Sequence, residues 1–221
     1  IENAAGNHYG AKGEQKLTDG EWHHCAVVFP DGASDGRDHI LYVDGQAYTD
    51  YQGSNQQMDT STETTVRMAN PSSEQGQSDE YAEGALSEVR IYDRALTSEE
   101  VDDLLHGRNI ADNLVGYWPL NEGRGQTVYD WSGNYNYGTI YGADWTIYKR
   151  DADTASSDSS TVVGQTDDYI HEVGYPLPES SHTQVLYMNN SSIGVNFGLA
   201  DGEYQRLYLD TMIRFTSTGG Q

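Results

Sequence analysis

Apolar residues in this chain come in short runs that mostly alternate with polar ones. Residues 17–48 read Leu-Thr-Asp-Gly-Glu-Trp-His-His-Cys-Ala-Val-Val-Phe, then a Gly/Asp-rich loop, then His-Ile-Leu-Tyr-Val-Asp-Gly-Gln-Ala-Tyr. That is the pattern of two strands joined by a loop, and Asp44-Gly45 predicts a tight hairpin turn, because glycine accepts a positive φ. His23 and His24 are neighbours on a strand and should point to opposite faces, one into the core and one toward solvent. Residues 51–65 are polar and loop-like, Val66-Arg67-Met68-Ala69 predicts a short strand, and another polar loop follows. Gly84 to Tyr92 alternates and predicts a strand with Leu86, Val89 and Ile91 inside. Thr97-Ser98-Glu99-Glu100 is then a capping box, and Val101, Leu104 and Leu105 form one helical stripe that stops before Gly107.

The second half continues in the same way. Residues 113–121, Asn-Leu-Val-Gly-Tyr-Trp-Pro-Leu-Asn, predict a strand, with Trp118, like Trp22, as a core anchor. Asp130-Trp-Ser-Gly-Asn-Tyr-Asn-Tyr-Gly138 reads as a packed Asn/Gly/Ser loop. From Asp151 to Ser160 there is almost nothing to bury, which predicts a linker or insertion, and residues 185–218 again look like strands. A chain of 221 residues holds one large β-domain or at most two small ones.

Composition agrees with short strands and many turns: hydrophobic content is 36%, with 24 Gly, 17 Tyr and only 3 Phe. Charge narrows the partners. With 35 acidic against 12 basic residues the net charge is −23, the wrong sign for a nucleic acid backbone and attractive to divalent cations. The single cysteine, Cys25, excludes an internal disulfide and is expected to be a core thiol. No stretch has the length of a membrane span, and a chain beginning at Ile1 with neither Met nor signal peptide is expected to have a processed or cut start.

Three groups of residues resemble laminin-G-like domains. Leu17-Thr-Asp-Gly-Glu-Trp-His-His24 with Ala-Val-Val-Phe, continued by Leu41-Tyr-Val-Asp-Gly45, is similar to a shared strand pair. Glu88-Val-Arg-Ile-Tyr-Asp-Arg-Ala-Leu-Thr97 with Glu99-Glu100 resembles the closing strand and terminal helix, and Leu114-Val-Gly-Tyr-Trp-Pro-Leu120 through Ser132-Gly-Asn134 the opening strand and loop. The resemblance implies an all-β, concanavalin A-like jelly-roll sandwich with one short helix. Its motifs stand in inverted order: residues 1–110 look like the closing half of a domain, 111–150 like opening strands, 151–184 like a linker or insertion, and 185–221 like further opening strands. Two arrangements fit: a window cut from a tandem array or filament, or one permuted domain in which residues 111–221 complete residues 1–110. In the first, neighbouring copies could complete one another by strand sharing, giving a homopolymer.

Two chemistries suggest themselves. Calcium takes six to eight oxygens, which the loop bearing Asp130, Asn134 and Asn136 supplies densely; the resemblance implies a structural calcium nearby, with Glu88 on the strand beside it. The alternative is an Asx turn, in which Asp130 and Asn134 bond only to nearby backbone N–H groups. Sugars stack on aromatic faces while amides and carboxylates meet their hydroxyls, which makes Trp131, Tyr135, Tyr137 and Tyr141 the candidate carbohydrate site; the alternative is that these are half-buried sheet residues. No nucleophile elbow, zinc-protease helix, phosphate loop or facing carboxylate pair can be singled out, so no catalytic residue is named and the chain is expected not to be an enzyme. Asn189 and Asn190 each begin a glycosylation sequon. The expected function is an extracellular or cell-surface structural or adhesion module that binds glycans or neighbouring copies. The alternative is a carbohydrate-binding module of a larger secreted polysaccharide-degrading enzyme.

Overall fold

Short alternating runs become short antiparallel strands. The computed structural model describes residues 10–11, 17–33, 36–49, 51–52, 65–68, 84–147, 184–188, 192–196 and 208–215. Its strands are β1 (Gly10–Ala11), β2 (His23–Val28), β3 (Ile40–Val43), β4 (Gln46–Tyr48), β5 (Tyr51–Gln52), β6 (Thr65–Met68), β7 (Gly84–Tyr92), β8 (Leu114–Trp118), β9 (Thr127–Val128), β10 (Gly138–Tyr141), β11 (Asp144–Ile147), β12 (Gln184–Met188), β13 (Ser192–Asn196) and β14 (Tyr208–Phe215). The helix α1 (Ser98–Leu105) carries the expected cap: Thr97 accepts from the Glu100 N–H, the Glu100 side chain accepts from the Thr97 N–H, and Val101, Leu104 and Leu105 are buried.

The large sheet runs β11, β12, β7, β14, β2, β3, β4, and the smaller one β6, β13, β10, β9. Strand β7 is its hub. All along one edge it pairs with β14; along the other, Gly84 to Leu86 pair with β12 and Val89 to Tyr92 with β8. Strands from either side of residue 110 therefore share both sheets, since β6 also pairs with β13. One apolar layer lies between the sheets, built on Leu86, Val89, Ile91, Trp118, Val128, Ile140, Leu186, Ile193 and Val195. A second, of Ala26, Val28, Tyr42, Tyr92, Leu96, Val101 and Leu104, lies beneath the helix. The all-β sandwich with one short helix is thus as expected.

Several local expectations change. Strand β7 is buried along its whole length, polar residues included. Its parity breaks at Glu88, where φ is 53° and three steps on β7 face two on β14, between the Ser87–Met212 and Arg90–Asp210 pairs. This bulge explains how Leu86 and Val89, an odd number of positions apart, both face the same layer.

The two histidines are both buried. His23 avoids solvent because each ring nitrogen meets a carboxylate, Nδ1 to Asp44 at 2.8 Å and Nε2 to Asp19 at 3.1 Å, while Asp44 also accepts from the His24 N–H at 2.9 Å. Cys25 is half-buried and not a core thiol. Asp44 (φ 49°) and Gly45 (φ 77°) make the predicted hairpin turn.

Of the expected linker 151–184, residues 151–183 lie outside the described residues and Gln184 already belongs to β12. Both sequon asparagines and the polar loops at 53–64 and 69–83 also lie outside them.

Candidate functional site

Val128 ends β9 facing the core, so strand alternation turns Tyr129 out, Asp130 in and Trp131 out. Asp130 then organises everything that follows. Its Oδ1 accepts from the Tyr117 N–H at 2.9 Å and the Ser132 N–H at 2.8 Å, and its Oδ2 from the Asn136 N–H at 2.9 Å. The Ser132 bond, two residues on, is an Asx turn. The side-chain amides tie the loop to β8: Asn134 Nδ2 donates to the Leu114 and Val115 carbonyls, both at 3.0 Å, and Asn136 Nδ2 to that of Val115 at 2.9 Å. In return, the buried Trp118 indole donates to the Asn136 carbonyl at 2.8 Å.

This lacing holds aromatic rings out in water. Exposure is 49% at Tyr129, 63% at Trp131, 74% at Tyr135, 46% at Tyr137 and 60% at Tyr141. Tyr135 has φ 61°, a left-handed conformation that costs a bulky residue roughly 1–2 kcal/mol and is found where the surroundings enforce it. Three rings touch. Tyr129 and Tyr137 stand across the ladder, one step beyond the Val128–Gly138 pair, with centroids 5.4 Å apart, and Tyr135 meets Tyr137 edge-on at 6.2 Å.

Of the four residues expected to stack on sugar, Tyr135 and Tyr137 are thus brought together, and the sequence reading missed Tyr129. The missing signal was register, because only the β9–β10 pairing shows that Tyr129 faces Tyr137. Trp131 and Tyr141 lie outside these ring contacts, although Tyr141 belongs to the outward row of β10.

The four residues expected to hold calcium are placed differently. Asp130, Asn134 and Asn136 do converge on one loop, but both Asp130 oxygens already accept amide hydrogens, and the two asparagines use their Nδ2 groups on the carbonyls of β8. Glu88 serves another cluster: its Oε2 accepts from Arg90 Nη2 at 2.6 Å and from the Tyr117 hydroxyl at 2.7 Å, with the guanidinium 4.3 Å from the Tyr117 ring centroid. Burial, reinforced by the Glu88 charge, pushes the Tyr117 hydroxyl far above its ordinary pKa, so it remains a donor. Among the described residues no three His, Cys, Asp or Glu side chains are grouped to hold a metal. As arranged, the Asp130 oxygens and the Nδ2 groups of Asn134 and Asn136 are engaged in hydrogen bonds within the loop and to β8, while Glu88 bonds Arg90 and Tyr117.

Residues 1–102 match the family model described as the concanavalin A-like lectin/glucanases superfamily. No curated protein and no solved structure matches the chain. The aromatic loop, residues 129–141, lies beyond the matched segment.

Proposed function

We propose that this protein is a glycan-binding module of an extracellular or cell-surface protein, acting in adhesion, since residues 1–102 match the concanavalin A-like lectin/glucanases superfamily and the described residues fold as an antiparallel sandwich. One observation carries the reading: Tyr129, Tyr135 and Tyr137 form a contiguous exposed aromatic surface on a loop anchored by Asp130. Exposed apolar surface of this kind marks a binding face, and aromatic rings with polar edges suit the C–H faces and hydroxyls of sugars. Laminin-G-like domains are commonly extracellular, and among the described residues no helix is long and apolar enough to cross a membrane.

The role is binding and not hydrolysis. Three carboxylates around the loop support this, because Asp130 is committed to three N–H donors, Glu88 to Arg90 and Tyr117, and Glu122 accepts from the Tyr129 N–H at 2.8 Å. Hydrogen bonds to Asp130 and from the Asn134 and Asn136 amides hold the loop. The same surface would equally serve a carbohydrate-binding module joined to a catalytic domain.

A glycan array probed with the parent chain and with a Tyr135→Ala/Tyr137→Ala variant tests the reading. Specific signals that vanish in the variant are expected. Signals that persist unchanged would show that any glycan binds elsewhere, and an array with no signal for the parent would refute the function.

A further inference from the structure

Strand β10 extends the aromatic surface beyond its cluster of touching rings. Its burial alternates, with Gly138 and Ile140 inside and Thr139 and Tyr141 outside. Tyr137, one residue before the strand, falls in the same outward row. At about 3.4 Å per residue, the backbone positions of Tyr137 and Tyr141 are about 14 Å apart, with Thr139 midway. The flanks of this row are low: Thr139 is opposite Thr127 on one side and Gly194, which has no side chain, on the other. The outward positions of β9, β10 and their flanking residues, Thr127, Tyr129, Tyr137, Thr139 and Tyr141, include no charged residue, on a chain whose net charge is −23; the charged register position on this sheet is Arg67 of β6, opposite Gly194.

Resting on the proposed glycan-binding function, we infer that the ligand is an extended, uncharged polysaccharide chain lying along β10, with one stacking position at the Tyr129–Tyr135–Tyr137 cluster and a second at Tyr141. Two separated stacking positions need a ligand longer than one sugar ring, and the low row between them leaves room for the intervening units. Charge selects the neutral class. A polyanion is repelled by the protein's overall field, and a polycation finds no carboxylate on the row to pair with. Because both contacts belong to one ligand, the second ring adds to the first through effective concentration, and affinity rises with chain length until both are covered.

The test is calorimetric titration of the parent chain, Tyr141→Ala and Tyr137→Ala with neutral gluco-, xylo- and manno-oligosaccharides from disaccharide to hexasaccharide. All three proteins are first matched by thermal unfolding. For the best series, affinity should rise about tenfold from disaccharide to hexasaccharide, equivalent to about 1.4 kcal/mol. Tyr141→Ala should abolish that rise, and Tyr137→Ala should weaken every length. An affinity independent of length, or a Tyr141→Ala variant that keeps the full rise, would overturn the extended-chain inference while leaving glycan binding in place. Preference for sulfated or uronic-acid oligosaccharides would overturn the neutral class. Binding to no oligosaccharide of any kind would remove the functional reading itself.

Discussion

Replacing Asp130 by asparagine keeps the size of the side chain and removes one acceptor. In the parent, one carboxylate serves three backbone donors, Tyr117 and Ser132 on Oδ1 and Asn136 on Oδ2. An asparagine can keep its oxygen toward the first two, but its NH₂ then faces the Asn136 N–H, donor against donor. The retained bonds lose their charge assistance, about 1 kcal/mol each, and the opposed donor costs about 1–3 kcal/mol, for a total of roughly 3–5 kcal/mol. For a chain of this size the melting temperature should fall by roughly 6–20 °C. The assay is thermal unfolding by circular dichroism, run with added calcium and with chelator. The parent should melt at the same temperature in both buffers, and the variant equally lower in both. An Asp130→Asn protein as stable as the parent would refute the hydrogen-bond account. A parent whose melting temperature drops in chelator to that of the variant would make Asp130 a metal ligand instead.

His23 should make stability fall with rising pH. Burial draws its pKa down, but hydrogen bonds and charge from Asp44 and Asp19 outweigh burial and raise it, so the contribution is full below the unfolded value of about 6.5 and is lost as pH rises through the folded one. Melting temperatures from about pH 6 to about pH 9 should show that decline in the parent and a flatter profile in His23→Gln; parallel profiles would contradict it. A Cβ at Gly116 would overlap the Trp118 indole, so Gly116→Ala should cost about 1–3 kcal/mol or more and, because Trp118 holds the Asn136 carbonyl, should also weaken glycan binding. Gly125→Ala meets nothing within 4 Å and has only its φ of 80° to strain, so it should be the milder of the two in the same melts. Residues 1–110 and 111–221, expressed separately, should each lack cooperative unfolding and recover it on mixing, because β7 is flanked by β8, β12 and β14; a half that melts cooperatively alone would argue for separate domains.

What could be read from the sequence was what depends on near neighbours. The capping box at Thr97 and Glu100 spans four residues, and the turn at Asp44-Gly45 needs only two, so both could be located without knowing the fold. Strand β10 also follows its own alternation. The failures each have a long-range cause. His23 and His24 are both buried because the Asp44 side chain returns from a turn some twenty residues on to serve the ring of one and the backbone of the other. Strand β7 hides its polar residues because partners about thirty residues on receive them: the Ser87 hydroxyl donates to the Pro119 carbonyl at 3.3 Å, and Glu88, paired with Arg90, accepts from the Tyr117 hydroxyl. Yet the odd spacing of Leu86 and Val89 was already a sign of the bulge, since a regular strand cannot place both on one face.

The Asp130 loop shows most clearly where composition stops being informative. A carboxylate among asparagines, serine and glycine is the composition of a calcium loop and of an Asx turn alike, and the two differ only in where hydrogen atoms point. Calcium needs oxygens turned inward on a common centre. Here β8 supplies an amide donor to Asp130 and carbonyl acceptors to Asn134 and Asn136, so the neighbouring strand sets which way these groups point. Which strand lies beside the loop is a property of the whole sandwich. The same pairing that satisfies the polar side chains inward is what leaves Tyr135 in a left-handed conformation with its ring in water. The loop's polar residues therefore act through their backbone contacts, and its aromatic residues remain for the ligand.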